Sequence, residues 1–389
     1  MAAAMTDTTH EVDPLEAATQ AATPLITPEP ALRSAGESID LLVERWNRRE
    51  PPTSTGLTHL DALLNGGLRP GDFMICAGAA KAGKSALIGQ CAYELAARGA
   101  IVVVASCEMP EEVWLARWMT RLVYLQAREE SLPGSAVTFS NVMHGDLWGE
   151  TPDTRLTLAM RTFESAAKTL YVQRLPFGAT TETISELVKK ARASWRAKNG
   201  DAPEPPTVVV VDPMQRLFAD QHGPLKGVLT LDKLNGDEAQ RAAAVAAQLY
   251  GLAQKEKLAV LATSDTTKAG ARGEEDAGTM LRGSYQIAHW ATTVLAMRSA
   301  DNFDALFDEL VDLKAIKKDD EARKKAPERY GWTASLKHPH SKNPTTGHAL
   351  RAVFVQCGGN RAGPDLDGFL TFVGGAMHFE EGKREEKGR

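Results

Sequence analysis

The chain has 389 residues, 43% of them hydrophobic and 24% charged, with a formal net charge of −5. That length gives room for one large core, or a domain of about 250 to 300 residues with extensions, and the mild acidity leaves any polyanion contact to a local basic surface. No stretch approaches the roughly 18 uninterrupted apolar residues of a membrane span, and the first 36 residues lack the basic start and apolar core of a secretory signal, so a cytoplasmic protein without a membrane partner is expected.

Residues 1–36 are rich in Ala, Thr and Pro and bury little, which reads as a disordered segment. A short helix is expected within 37–54, with Ser38 as its N-cap. Ile39, Leu42, Val43 and Trp46 recur at helical spacing on one stripe, and Pro51-Pro52 ends the run. From 55 to 379, strand-like and helix-like segments alternate. Apolar runs at 73–77, 101–105, 208–211, 258–262, 293–296 and 352–355 read as buried strands, and 86–98, 110–125, 181–197 and 238–254 as helices. That rhythm predicts an α/β fold with a doubly wound, mostly parallel sheet. The stretch 301–349 breaks it, with a helix expected at 303–313 followed by a charged run, and reads as an insertion. Residues 380–389 read as a solvated charged tail. Cys76, Cys91, Cys107 and Cys357 have no metal-ligand spacing, and Cys76 and Cys107 sit in apolar runs, which fits a reducing compartment.

Gly78-Ala79-Ala80-Lys81-Ala82-Gly83-Lys84-Ser85 is a G-x-x-x-x-G-K-S phosphate loop between a strand and a helix. Its backbone N–H groups suit the phosphates of ATP, Lys84 the β- and γ-phosphates, and Ser85 a Mg²⁺ ion. Thr207–Asp212 is an apolar strand ending in a carboxylate, so Asp212 becomes the second candidate for the metal. Glu108 follows the strand 101–105, and strand ends line the ligand crevice of an open sheet. It is the candidate base for a water attacking the γ-phosphate. His338 and His340 have no third ligand in the sequence, so no metal site is expected there.

Taken together, these segments resemble the RecA-like ATPase domain of DnaB-type replicative helicases. Thr55-Gly56-Leu57 with Leu60-Asp61 and Gly66–Asp72 is similar to the opening of that domain. Ser106–Glu112 with Arg117 resembles its Ser-x-Glu-Met signature, Asp212–Gln215 its metal-binding strand followed by glutamine, and Asn360–Pro364 its basic turn. The resemblance implies that Arg361 acts in trans on a neighbour's ATP, within a homo-hexamer. It implies that the 37–54 helix is a linker packing on an adjacent subunit, and that loops 216–236 and 266–283 face a channel. Single-stranded DNA contacts are then expected from Arg216, Lys226, Lys268, Arg272 and Arg282. Three departures stand out: Gly359 replaces a lysine, Ile287–Thr292 replaces an acid-rich junction, and Asp265 replaces a glutamine that senses the γ-phosphate. An ionised Asp265 cannot donate a hydrogen bond, so that sensor is expected to be altered or absent. The function implied is an ATP-hydrolysing motor moving on single-stranded DNA in replication of a chromosome, plasmid or phage, with replication proteins as partners. The alternative is a regulatory or loader ATPase that switches a protein partner, and a small-molecule phosphotransferase is least supported.

Overall fold

Six-residue runs of apolar side chains cannot leave their backbone groups unpaired once buried, and a parallel sheet covered on both sides satisfies them. The computed structural model describes residues 34–40, 42–43, 51–129, 137–149, 153–220, 238–266, 281, 285–300, 350–360 and 368–381. The strands are β1 (Phe73–Gly78), β2 (Ile101–Ser106), β3 (Leu170–Arg174), β4 (Thr207–Asp212), β5 (Ala259–Asp265), β6 (Thr293–Ala300), β7 (Leu350–Asn360), β8 (Gly368–Val373) and β9 (His378–Glu381). They form one sheet in the order β3-β2-β4-β5-β1-β6-β7-β8-β9. Neighbours from β3 to β6 pair in parallel, and β7, β8 and β9 continue it antiparallel.

Alternate residues of the central strands feed two cores. Met74, Cys76, Val102, Val104, Val208 and Val210 face one side, where helices α2 (Lys84–Ala97), α3 (Glu111–Glu129) and α5 (Thr154–Ala166) pack. Phe73, Ile75, Ile101, Val103, Val209 and Val211 face the other, covered by α6 (Thr181–Asn199), α7 (Glu238–Glu256) and α8 (Tyr285–Trp290). The short helices α1 (Thr58–Leu63) and α4 (Phe139–Met143) complete the described set. This is the doubly wound, mostly parallel arrangement expected of the alternating sequence.

Some sequence boundaries move. The chain divides into two compact units, Met1–Glu50 and Pro51–Arg389, and the second begins ahead of residue 55 because Thr53 bridges Leu68. In the first unit side chains tie the turn that leads into the helix. Ser34 Oγ accepts from the Glu37 N–H at 3.2 Å, the Glu37 carboxylate accepts from the Ser34 N–H at 2.8 Å, and Ser38 Oγ donates to the Ser34 carbonyl. Ser34 and Glu37 thus bond each other reciprocally across this turn. Glu380 and Glu381 do not belong to a solvated tail: both are in β9, and the Glu381 carboxylate accepts from the Thr58 and His59 N–H groups at 2.6 Å each. Residues 301–349, with the helix expected at 303–313 and His338–His340, lie outside the described residues.

Candidate functional site

The register sets the site. Gly78 at the end of β1 pairs with Asp265 at the end of β5, and Ser106 at the end of β2 pairs with Asp212 at the end of β4. Since β2, β4, β5 and β1 are consecutive, all four ends lie along one rim of the sheet. Between β1 and α2 the loop turns back on itself at Gly83, whose φ of 99° excludes an ordinary side chain. A Cβ there would also meet the Phe379 ring at 2.8 Å. The loop curls around the Lys84 ammonium, which is 8% exposed and donates to the Gly78 carbonyl at 2.8 Å and the Ala79 carbonyl at 3.2 Å. Its third partner is the Asp265 carboxylate at 3.1 Å.

Ser85, in the first turn of α2, donates its hydroxyl to Asp212 Oδ1 at 3.1 Å, and Thr263 from β5 donates to the same oxygen. Asp212 is buried, and desolvation pushes its carboxyl above the usual range against those two hydrogen bonds and the positive charges of Arg117 and Lys84. Glu108 is carried by a turn that its neighbours fix. Ser106 Oγ donates to the Met109 carbonyl at 2.5 Å and accepts from Trp114 Nε1 at 2.9 Å, while the Cys107 N–H donates to the Asp212 carbonyl at 2.8 Å. The Glu108 carboxylate accepts from Arg216 Nε at 2.8 Å. Burial pushes the Cys107 thiol up to about 12, so it is inert as a nucleophile.

A family model described as the DnaB-like helicase C-terminal domain matches residues 53–309, well over half of the chain. The chain belongs to that family. Among solved structures, one described as an ATPase domain is similar to it with a TM-score of 0.62 and 14% identity, over 90% of this chain and 99% of that one. A DnaB-like replicative helicase, described with its interactions with primase, gives a TM-score of 0.61 at 14% identity, over 89% of this chain and 68% of that one. No curated protein matches the sequence. The chain is thus a DnaB-like, RecA-fold enzyme: a nucleotide-binding, ATP-hydrolysing domain of the replicative helicase type.

In this DnaB-like domain the rim brings together Gly78–Ser85, Glu108, Asp212 and Asp265. The family's magnesium fits the donor set. A buried carboxylate with raised affinity for a proton is short of positive charge, and Ser85 Oγ and Asp212 Oδ1 already converge. Asp265, where an altered sensor is expected, pairs as an anion with Lys84. Arg216, expected on the nucleic acid, is an exposed side chain that here pairs with Glu108. Arg361, Lys226, Lys268, Arg272 and Arg282 lie outside the described residues, and so does the side chain of Gly359's neighbour Asn360.

Thr263 is not singled out in the sequence, and for Gln215 and Arg117, read there only as parts of motifs, the structure supplies the contacts. Thr263 anchors Asp212, and Gln215 Nε2 donates to Ser264 Oγ at 2.5 Å, tying the β4 exit to β5. Arg117 stacks over the Trp114 ring, 5.8 Å from its centroid, and its buried Nε has no hydrogen-bond partner among the described residues. Burial lowers its affinity for the proton while the Asp212 charge opposes that. Thr263 and Gln215 stand beside motif residues, and the register between β4 and β5 is what turns that adjacency into contact.

Proposed function

We propose that this protein is a hexameric motor that hydrolyses Mg-ATP between subunits and moves on single-stranded DNA, in the replication of a chromosome, plasmid or phage. The observation that carries the reading is the convergence of the phosphate loop, Asp212 and Glu108 on one rim, in a DnaB-like domain. The loop's N–H groups and Lys84 hold the phosphates in line. Ser85 and Asp212 hold the magnesium ion, which neutralises phosphate charge when bound. Glu108 orients a water and takes its proton as the water oxygen bonds to the γ-phosphorus and the bond to the bridging oxygen breaks, releasing ADP and phosphate. Arg361 of an adjacent subunit stabilises the charge that spreads over the transferring group.

Residues 37–54 serve as a linker helix that docks on a neighbour. Supporting this, Ile39, Leu42 and Val43, at helical spacing, are 54%, 41% and 39% exposed. Lys226, Lys268, Arg272 and Arg282 contact the DNA backbone, and replication proteins are partners; the similar helicase structure described with primase supports this. The protein is placed in the cytoplasm, and no described helix is long and apolar enough to cross a membrane.

Asp265 at the sensor position and the net charge of −5 favour a second reading, a regulatory or loader ATPase acting on a protein partner. ATP turnover with and without single-stranded DNA, together with mass in solution, separates the two: DNA stimulation and a six-subunit mass support the motor. Lys84→Ala is expected to abolish turnover in a folded protein with an unchanged circular dichroism spectrum. Wild-type turnover in that variant would remove the site.

A further inference from the structure

Four charged side chains alternate in sign along the rim. Glu108 pairs with Arg216 at 2.8 Å and Asp265 pairs with Lys84 at 3.1 Å, so each carboxylate has its own cation. Arg216 also lies within the electrostatic reach of Asp265. Three of the four are substantially exposed, at 50% for Glu108, 66% for Arg216 and 46% for Asp265, so these contacts can open without stranding a buried charge. Lys84 is different, since the loop carbonyls hold it in place.

The backbone of Arg216 is fixed. Met214 and Leu217 on either side are fully buried, and Gln215 is tied to Ser264, the residue before Asp265. Its long side chain can therefore swing while its root stays between the ends of β2 and β5.

We propose that Arg216 is a positioning residue shared by Glu108 and Asp265, and that nucleotide binding transfers it from the first to the second. This rests on the reading of Glu108 as the base. In the free site Arg216 holds Glu108 through Oε1 in an ion pair, which keeps the carboxylate turned towards the guanidinium. Incoming phosphates claim Lys84, and Asp265 loses its counter-ion just as more negative charge arrives beside it. Arg216 is the cation already within its reach. Turning to Asp265, it leaves Glu108 free to orient water. Asp265 thus reports phosphate occupancy by charge, where a hydrogen-bond donor would do so by contact.

The test is steady-state ATP hydrolysis on the full chain, with circular dichroism melts as a check on folding. Asp265→Asn removes the charge that recruits Arg216, so Glu108 stays locked: kcat falls about tenfold or more, within the range of general-base effects, while KM for ATP does not rise. Adding Arg216→Gln to Asp265→Asn releases Glu108 and restores most of kcat. A merely structural defect is not repaired by a second truncation. Arg216→Gln alone keeps or raises kcat, which gives an independent reading if Asp265→Asn fails to fold. Wild-type kcat in Asp265→Asn, a double variant no faster than it, or a tenfold loss in Arg216→Gln alone overturns the proposal. Glu108→Gln separates the two levels. If it retains turnover, the base assignment fails; if it abolishes turnover and Asp265→Asn does not slow it, the transfer alone fails.

Discussion

Asp212 shows how a single side chain sets stability against function. Its carboxyl is pushed above the usual range chiefly by burial. A raised acid favours the fold while protonated, and that advantage is lost as pH rises through its folded value. At pH 8 the ionised group therefore costs stability, and Asp212→Asn should melt at a higher temperature than wild type there while its melt no longer responds to Mg-ATP. A lower melting temperature at pH 8 would contradict this. His378 carries the opposite sign. Burial, then the charges of Arg121 and Arg128, hold its imidazole well below its ordinary value, and Arg121 Nε donates to its Nδ1 at 3.1 Å. The unfolded chain takes up this proton below about pH 6.5 and the folded chain does not, so stability falls with pH at up to about 1.4 kcal/mol per unit. His378→Gln should be less stable than wild type at pH 7, with a gap that narrows by pH 5 in urea titrations. A constant gap would show that the ring titrates alike in both states.

Helices α2 and α3 meet where Gly89 faces Trp114. A Cβ at Gly89 would stand 2.8 Å from the Trp114 ring, and that indole is fully buried and bonds the Ser106 hydroxyl that shapes the Glu108 turn. Gly89→Ala is thus expected to cost about 1–3 kcal/mol by overpacking, with a loss of turnover accompanying the shift in urea midpoint. Full activity at lowered stability would show that Trp114 does not transmit to Glu108. Elements of this kind explain what could be read beforehand. The central strands β1, β2 and β4 are buried at every residue, so their apolar runs announce them. Strand β3 lies at the sheet edge with half-exposed side chains, which removes that signal, and β8 and β9 are short strands around the Gly374-Gly375 turn. The phosphate loop, Asp212 and Glu108 were legible because each sits at a strand-to-loop transition. The ion pairs of Asp265 and Arg216 were not, since they depend on the lateral order β2-β4-β5-β1, which a linear pattern does not contain.

At the level of the whole molecule, the rim brings the phosphate loop together with the proposed metal-binding carboxylate and the proposed base within one chain, and the proposed assembly supplies the remaining cation, Arg361, from a neighbour. Such a division has a consequence that no single-chain site shares. Lys84→Ala and Arg361→Ala proteins should each be inactive alone, because every interface lacks one group. In an equal mixture that exchanges subunits, about a quarter of the interfaces combine an intact Lys84 with an intact Arg361 from the adjacent chain. ATP turnover should then reappear at up to about that fraction of wild type. It should vanish again on dilution below the concentration at which the ring dissociates, as mass photometry would report alongside the rate. Recovery requires both groups to serve one nucleotide from different subunits. A mixture as inactive as its components, in rings shown to have exchanged, would mean that Arg361 does not complete the site across an interface.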